Sequence, residues 1–326
     1  MPKRIVDLRS QNRPLLDIAS YARRGPNDRP ALSSAEIAHA SRTVRGVPEV
    51  LIKVSGGART VRGVASHMEY LETRADLETD EGTVQTEKGL ARELLKEWDL
   101  EIAERGHHTR PAIASGRRTP KLVHNLVFSM PKGTPPDKLH AAVKAFATET
   151  FGLRHRYAMA LHTDQGHPHV HLIVKARSEH GERLNIYKAT LREWRRHFAS
   201  CLRQLGVEAN ATERAVRGSR HQNRKVGIYR AARRGYSSFI SKRAESIARE
   251  LRNGAVQPGL GKSRLLQTRR EVENGWLAFA EAAARAGMKE VADAAVRFVR
   301  SLPPPRTDRE STAERMQQPM EKHHSR

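Results

Sequence analysis

The stretch from His162 to His171 constrains this chain more than any other feature of its sequence. It places four histidines and one carboxylate, Asp164, within ten residues. The short apolar run LIV follows the last histidine and predicts a buried strand. Pro168 suits the start of that strand, because proline cannot donate to a sheet ladder. The four histidines are His162, His167, His169 and His171.

Strand geometry predicts that His169 and His171 lie on one face of a sheet, because alternate side chains of a strand share a face. The preceding segment RYAMAL predicts a second strand that runs into His162, and the Gln-Gly pair between the two strands supplies a hairpin turn. Such a hairpin brings His162 beside the other two histidines. Three neutral imidazoles on a rigid sheet favour a divalent-metal site with open coordination positions over chance spacing.

Other histidines are weaker candidates for metal binding. His167 shares the parity of His169 but precedes the proline, where the turn breaks the alternation, so it remains the alternative to His162 as the third ligand. His124 projects from a predicted strand over residues 121–130 and is more typical of a satisfied sheet histidine. The pair His107-His108 falls in a polar stretch and is more typical of a surface loop.

Composition points to a polyanionic partner. The chain has 326 residues, a formal net charge of +23 and a sequence pI near 10.8, which favours nucleic acid. No apolar stretch approaches the length of a spanning helix, and the N-terminus has no apolar signal core. The single cysteine, Cys201, cannot form an intramolecular disulfide. We therefore expect a cytoplasmic protein without membrane insertion, and the absence of a Walker-type loop argues against an ATPase.

Two arginine-rich segments are candidates for contact with the DNA backbone. A helix is predicted to begin at Thr190, which forms a capping-box pattern with Glu193, and to end at Gly206. An ordinary solvated face is an equally good interpretation of its basic residues. The candidate DNA contacts are Arg192, Arg195 and Arg196 on the helix and Arg214, Arg217 and Arg220 in the loop that follows.

A strand, a Gly-Gly pair and a helix precede the tyrosine at position 70. The helix is predicted over residues 60–74, and Tyr70 lies about half a turn away from its apolar stripe, beside His67 and Arg74. Spacing alone is typical of an amphipathic surface tyrosine rather than of a catalytic one. The apolar stripe consists of Val61, Val64, Met68 and Leu71.

The order of these elements predicts an α+β fold: a central antiparallel sheet that carries the histidine hairpin, flanked by helices, with a helical basic C-terminal extension. Residues 1–45 are predicted to be a basic, flexible arm with a helix near residues 35–44, and residues 46–225 the sheet domain. Residues 226–305 are predicted to form a helical region, with helices over 237–253 and 269–302. Residues 306–326 are predicted to be a disordered tail.

Three blocks of sequence resemble the plasmid mobilisation relaxases of the HUH nuclease class, in particular the branch of the T-DNA border-nicking endonucleases. The first block is IKVSGG followed by HMEYL, and the second is HNLVFSMPKGT. The third is HTDQGHPHVHLIV with its continuation LREWRRHFASCLRQLGVEANATERAVRG. The third block is highly specific and the tyrosine block moderately so. Together they cover roughly residues 49 to 218.

The resemblance implies a mechanism and partners. Tyr70 matches the nucleophile, which attacks one DNA strand at a transfer origin and leaves a 5′-phosphotyrosyl link and a free 3′-hydroxyl. His162, His169 and His171 match the metal ligands, with Mg²⁺ or Mn²⁺ as the expected ion, and Asp164 matches the family's acid. The implied partners are single-stranded or supercoiled transfer-origin DNA, accessory relaxosome proteins and a coupling protein.

Two other functions stay open from the sequence. One is a nucleic-acid-binding protein whose histidines hold a structural metal, and the other is a metal-dependent nuclease that uses water instead of tyrosine. The segment from Glu72 to Glu81 departs from the expected pattern, because it is unusually acidic for a surface that faces DNA.

Overall fold

The computed structural model describes residues 17–25, 28–29, 31–82, 84–85, 89–108, 119–164, 166–219, 231, 234–235, 237–254 and 256–317. The strands are β1 (Leu51–Gly56), β2 (Leu77–Thr79), β3 (Val84–Gln85), β4 (Val123–Ser129), β5 (Tyr157–His162) and β6 (His169–Lys175). The helices are α1 (Ile18–Tyr21), α2 (Ser34–Val44), α3 (Val61–Glu72), α4 (Leu90–Glu97), α5 (Leu100–His108), α6 (Pro136–Phe151), α7 (Lys188–Gln204), α8 (Ser238–Arg252), α9 (Lys262–Arg285), α10 (Lys289–Ser301) and α11 (Asp308–Gln317).

The chain divides into two compact units. Unit 1 comprises the described residues of Gly46–Ala211, and unit 2 combines those of Leu15–Arg45 and Thr212–Arg326. Unit 1 contains the sheet, whose strand order is β1-β4-β6-β5-β2-β3. Every neighbouring pair of strands is antiparallel. The predicted α+β class, with an antiparallel sheet flanked by helices, is therefore confirmed.

One side of the sheet, here called the aromatic face, is covered by α6 and α7. Side chains of alternate positions on β4 and β6, such as Phe128 and Leu172, pack there against Phe146 and Phe198. Helix α7 begins two residues before the predicted Thr190, and the Thr190 hydroxyl accepts a hydrogen bond from the Tyr187 backbone N–H at 3.3 Å. The threonine therefore caps the helix from its first turn instead of preceding it.

The other side, here called the histidine face, is covered by α3, α4 and α5. Helix α3 buries Val64, Met68 and Leu71 against small side chains of β5, which confirms the predicted apolar stripe. The hydroxyl of Thr60 accepts from the backbone N–H of Gly63 at 3.2 Å and caps the start of this helix.

Strands β2 and β3 lie in and just after the acidic segment Glu72 to Glu81, for which the sequence analysis predicted no strand. Glu78 of β2 is buried because His140 and Lys144 of α6 bind its carboxylate at 3.1 and 2.6 Å. Asp80 likewise pairs with Arg156 at 2.5 Å. These carboxylates pair with basic side chains of unit 1, which accounts for part of the acidity that seemed out of place beside a DNA-binding site.

Unit 2 differs from the predicted ends of the chain. Residues 17–45 are not an isolated arm, because Ile18 and Tyr21 of α1 and Ala40 of α2 are buried in the same core as Trp276 and Phe279 of α9. Helix α2 matches the helix expected near residues 35–44. The arm prediction failed because its apolar residues find partners more than 200 positions away.

Two further predictions about unit 2 need correction. The helix expected over residues 269–302 is two helices, α9 and α10, separated at Gly287, whose φ of +79° ends the first helix. The expected disordered tail contains α11, whose start is fixed by Thr307 and Glu310. Helix α8 agrees with the helix predicted over 237–253. Among the described residues, no helix combines the length and the apolar character needed to cross a membrane.

Candidate metal centre and tyrosine helix

The histidine hairpin forms as the sequence predicted. In the β5–β6 ladder His162 lies opposite His169, and His171 lies opposite Ala160 two residues further on. All three histidine side chains point to the histidine face, where their ring centroids are 4.7 to 5.3 Å apart. One ligand nitrogen from each of the three lies within 4.8 Å of the others. The sheet thus brings together the three imidazoles proposed to bind metal.

The burial of these imidazoles fits a metal site. His162 and His169 are only 4% and 5% exposed. The Nε2 atom of His162 and the Nδ1 atom of His171 are buried and have no hydrogen-bond partner among the described residues. A buried polar atom without a partner costs about 1–3 kcal/mol. A divalent ion would give the His162 nitrogen a bond in place of the hydrogen bond it lacks.

The electrostatics of the cluster favour the neutral form of His162 and His171. The pKa of His171 is lowered to about 4, chiefly by burial and to a smaller extent by the neighbouring His162 and His169. The pKa of His162 is lowered chiefly by burial and then by His169. Neutral imidazole is the form that binds metal, so the site is ready to accept an ion at neutral pH.

The turn histidine, His167, takes a different place. It is not part of the group of three, and its backbone carbonyl accepts a hydrogen bond from Nδ1 of His169 at 3.3 Å. That bond leaves Nε2 of His169 to face the cluster, which is the usual arrangement for a metal-binding histidine. His167 therefore supports a ligand through its main chain, and the geometry favours His162 over it as the third ligand.

His124 lies on the opposite face of the sheet. It shares the parity of Leu126 and Phe128 on β4, and its Nε2 donates to the Leu184 carbonyl at 3.2 Å. Burial lowers its pKa to about 4. His124 is thus a structural histidine of the aromatic face and does not reach the cluster.

Helix α3 carries Tyr70 to the edge of the histidine face. The centroid of the His67 ring is 6.2 Å from that of His171 and 6.4 Å from that of Tyr70. The planes of the His67 and Tyr70 rings are nearly parallel, at 11° to each other. Tyr70 is 45% exposed, as its position off the apolar stripe predicted. The buried stripe of the helix therefore fixes an accessible phenol near the histidines.

Arg74 joins this tyrosine to the proposed acid. Its guanidinium lies 4.7 Å from the centroid of the Tyr70 ring, and its Nη1 donates to Oδ2 of Asp164 at 3.0 Å. The sequence placed Arg74 beside Tyr70 but gave it no role. The contact between Arg74 and Tyr70 could have been predicted from their four-residue spacing, which puts the two side chains on one face of a helix. The bond to Asp164 spans 90 positions and had no local signal.

The six candidate DNA-binding arginines fall into separate parts of the chain. Arg192, Arg195 and Arg196 lie on α7, which covers the aromatic face, so the sheet separates them from the histidines. Arg195 donates to the Ile52 carbonyl at 3.0 Å and Arg196 to Glu193 at 2.9 Å. The loop candidates Arg214 and Arg217 belong to unit 2, and Arg220 lies outside the described residues.

Comparison with known proteins agrees with this geometry. Residues 75–207 match the family model "Relaxase: MobA/VirD2-like, nuclease domain". The chain is also similar to three T-DNA border endonucleases VirD2. The relative from Rhizobium radiobacter is 27% identical over 188 residues, which is 52% of this chain and 43% of the relative. Those from Agrobacterium fabrum strain C58 and Rhizobium rhizogenes are 27% and 26% identical over 192 residues, 52% of this chain and 41% and 42% of the relatives.

The matches define a relaxase nuclease domain of the MobA/VirD2-like family. Its span contains both strands of the histidine hairpin and helices α6 and α7. The similarity to the three relatives supports a relaxase of the VirD2-like branch, as the three sequence blocks indicated. It spans about two-fifths of the length of these curated relatives. The family match begins at residue 75 and does not reach Tyr70, so the role of that tyrosine is a proposal.

Proposed function

We propose that this protein nicks one strand of DNA at a plasmid transfer origin by tyrosine transesterification, rejoins that strand later, and so starts conjugative transfer. One observation carries the proposal: within a relaxase nuclease fold, the helix that presents Tyr70 packs on the face that presents His162, His169 and His171. A nucleophile and a cluster of metal-binding side chains at one edge of a sheet are the parts that this chemistry needs.

His162, His169 and His171 would hold a divalent ion, for which we propose Mg²⁺ or Mn²⁺. Of these two, Mn²⁺ suits an imidazole donor set better, because Mg²⁺ prefers oxygen ligands. Such an ion supplies Lewis-acid neutralisation of the non-bridging phosphate oxygens. The protein contributes the fixed strand register, the lowered pKa of His162 and His171, and the hydrogen bond from His169 to the His167 carbonyl.

The covalent step belongs to Tyr70. Its Oη attacks the scissile phosphorus, the bond from phosphorus to the 3′ oxygen breaks, and the products are a 5′-phosphotyrosyl link and a free 3′-hydroxyl. The phosphodiester energy is retained in the new bond, so rejoining needs no ATP. A phenol has a reference pKa of about 10 and must lose its proton to attack. We assign Asp164 the role of helping to take that proton.

Arg74 positions the nucleophile in this scheme. A guanidinium over an aromatic ring is held by attraction to the ring's negative face, so Arg74 restricts the Tyr70 ring while it also holds Asp164. Arg74 therefore acts through Tyr70 rather than on the substrate.

The DNA partner follows from charge and family. A net charge of +23 supplies long-range attraction to single-stranded or supercoiled DNA. We propose the six arginines, Arg192, Arg195, Arg196, Arg214, Arg217 and Arg220, as contacts to the sugar-phosphate backbone. Accessory relaxosome proteins and a coupling protein are the further partners that we propose, with the cytoplasm as the site of action.

An adduct assay tests the proposal. Purified full-length protein is mixed with supercoiled DNA of its own replicon and Mn²⁺, denatured with detergent and examined for protein joined to a nicked strand. We expect the adduct with the unaltered protein and with Tyr187→Phe, an exposed tyrosine that serves as the matched control. Tyr70→Phe is expected to bind DNA and form no adduct.

The other outcomes favour the alternative functions. Nicking without an adduct, unaffected by Tyr70→Phe, would show a nuclease that uses water. DNA binding without nicking, together with unfolding of unit 1 when metal is removed, would show a binding protein with a structural metal.

A further inference from the structure

A second group of metal-binding side chains lies on the helices of the aromatic face, on the other side of the sheet from the histidine hairpin. It consists of Glu149 near the end of α6 and of His197 and Cys201 on α7. One ligand atom of each lies within 4.8 Å of the others. The proposed nuclease mechanism uses none of the three.

The sequence builds this group through helix spacing. His197 and Cys201 are four residues apart on α7, so their side chains lie one above the other on the same face. The neighbouring α6 brings Glu149 to that face, where its Oε2 lies 2.6 Å from Nε2 of His197. Nδ1 of His197 lies 3.4 Å from the Thr150 hydroxyl.

We propose that Glu149, His197 and Cys201 form a second divalent-metal site, of the zinc class, that ties α6 to α7. Thiolate, imidazole and carboxylate are the three ligand types that Zn²⁺ takes in proteins, usually in tetrahedral geometry. The oxygen-preferring Mg²⁺ discriminates against a sulfur ligand. Three protein ligands leave the fourth position to a water molecule.

The local geometry permits such a site to close. Bonds to Zn²⁺ of about 2.0–2.3 Å require ligand atoms roughly 3.3–3.8 Å apart. Oε2 of Glu149 and Nε2 of His197, which are 2.6 Å apart, must therefore separate by up to about 1 Å, and the Cys201 sulfur lies within 4.8 Å of a ligand atom of each. The Glu149 side chain is 59% exposed and that of His197 30% exposed, which leaves both free to shift and gives the ion a path from solvent. Cys201 is buried at 2% exposure and supplies the fixed ligand.

The hydrogen bonds around His197 also suit a bound ion. In the metal-bound form Nε2 binds the ion, which takes the place of the hydrogen bond to Glu149. Nδ1–H then donates to the Thr150 hydroxyl, the kind of outer contact that orients metal-binding histidines. The thiol of Cys201 releases its proton to solvent as the metal–sulfur bond forms.

Cobalt(II) is a direct probe of this site. A cobalt–thiolate bond gives a charge-transfer absorption in the near ultraviolet that cobalt bound to histidines lacks. Because Cys201 is the chain's single cysteine, such a band identifies its ligand without ambiguity. We expect the band in the full-length protein and in full-length His169→Ala, and its loss in Cys201→Ser or on addition of excess Zn²⁺.

Exposed variants keep the test valid if Cys201→Ser disturbs the core. In full-length His169→Ala, which lacks one ligand of the hairpin site, we expect His197→Gln and Glu149→Gln each to weaken Zn²⁺ binding by about tenfold or more. Each should also remove the rise in melting temperature that Zn²⁺ causes by binding the folded state. Glu193→Gln on α7 is the matched control for Glu149, with 58% exposure against 59%.

Three results would overturn the proposal. They are the absence of a thiolate band at saturating cobalt in the unaltered protein, a band that persists in His197→Gln, and Zn²⁺ binding that Glu149→Gln and Glu193→Gln weaken equally. Any of these results would show that Glu149 and His197 form only a surface hydrogen bond and that Cys201 is only a buried core residue. None depends on nicking activity, so the outcome is separate from that of the proposed function.

Discussion

The two faces of the sheet in unit 1 carry different kinds of side chain, which alternate along the same strand. On β6, Leu172 points to the aromatic face, where Phe128, Phe146 and Phe198 are fully buried and their rings lie 5.0 to 6.5 Å apart. His171, one position away, points to the histidine face, where its Nδ1 is buried without a hydrogen bond from any described residue.

This difference indicates how the domain combines stability with a reactive site. Close-packed aromatic side chains on one side stabilise the sheet. On the other side, buried nitrogens without partners cost stability in the metal-free protein. Because neighbouring residues of a strand point to opposite faces, side chains with these opposite effects can follow one another in the sequence and still lie on separate faces. Substitution of the packed aromatic side chains should therefore change stability, whereas substitution of the clustered histidines should change metal binding.

The largest expected effect is the loss of a central aromatic side chain. Phe146→Ala should lower the free energy of unfolding of unit 1 by about 3–5 kcal/mol, because it removes buried surface and leaves a cavity. Metal affinity at the histidine hairpin should stay unchanged in the folded fraction. Urea unfolding and calorimetric metal titration measure the two quantities.

His169→Ala is the counterpart on the other face. It should lower the unfolding free energy of the metal-free protein by only about 1 kcal/mol, since the main polar contact it removes is the hydrogen bond from Nδ1 of His169 to the His167 carbonyl. Metal affinity and nicking should fall together. Equal losses of stability from Phe146→Ala and His169→Ala would contradict the division between the faces.

Acid should weaken the metal-free protein through histidines on both faces. The folded-state pKa is about 4 for His124 and for His171, below the ordinary 6.5, mainly because of burial. The contribution of these two histidines to the free energy of unfolding is complete above pH 6.5. It is lost as the pH falls from 6.5 to 4, because the unfolded chain then binds more protons than the folded protein does. Between pH 7 and pH 5 each histidine should lower the free energy of unfolding by up to about 2 kcal/mol.

Single substitutions separate the two contributions. His124→Gln should reduce the loss of unfolding free energy between pH 7 and pH 5 with or without metal. Bound metal should oppose protonation of His171 and so steepen the loss that remains. His167→Gln, at an exposed turn position, is the control. An unchanged pH dependence in His124→Gln would show that this histidine is solvated in the folded state.

Arg74 tests the connection between the tyrosine helix and the hairpin. A cation–π contact and an exposed ion pair are worth about 1–2 kcal/mol together, so Arg74→Ala should slow adduct formation about tenfold at saturating DNA. Arg74→Lys, which keeps the charge but loses the planar group, should recover only part of the rate. Arg62→Ala, at an exposed position of the same helix, is the control. A change in DNA affinity alone would assign Arg74 to substrate binding.

The smallest expected effect concerns the helix of the aromatic face. If Arg196 contacts a phosphate, Arg196→Ala should reduce the slope of log affinity against log salt by about 1 and leave the adduct rate at saturating DNA unchanged. Its partner in the structure is Glu193, and Glu193→Gln should leave the slope nearly constant. An unaltered slope in Arg196→Ala would show that this face is only solvated.

The site was predictable from sequence where its geometry is local. The period of two and the turn placed His162, His169 and His171 together, and the period of 3.6 placed Tyr70 off the buried stripe. Contacts between distant segments were not predictable. Glu78 could enter a strand only because α6 supplies its cations, and Arg74 meets Asp164 across 90 residues.

Identification of the tyrosine that becomes attached to DNA tests the central claim most directly. The adduct formed with Mn²⁺ is digested with nuclease and protease, and the peptide that retains a nucleotide is identified by mass spectrometry. The account predicts the nucleotide on Tyr70 and no adduct in His169→Ala. A nucleotide on Tyr21, Tyr157, Tyr187, Tyr229 or Tyr236, or a full yield of adduct without metal, would contradict it.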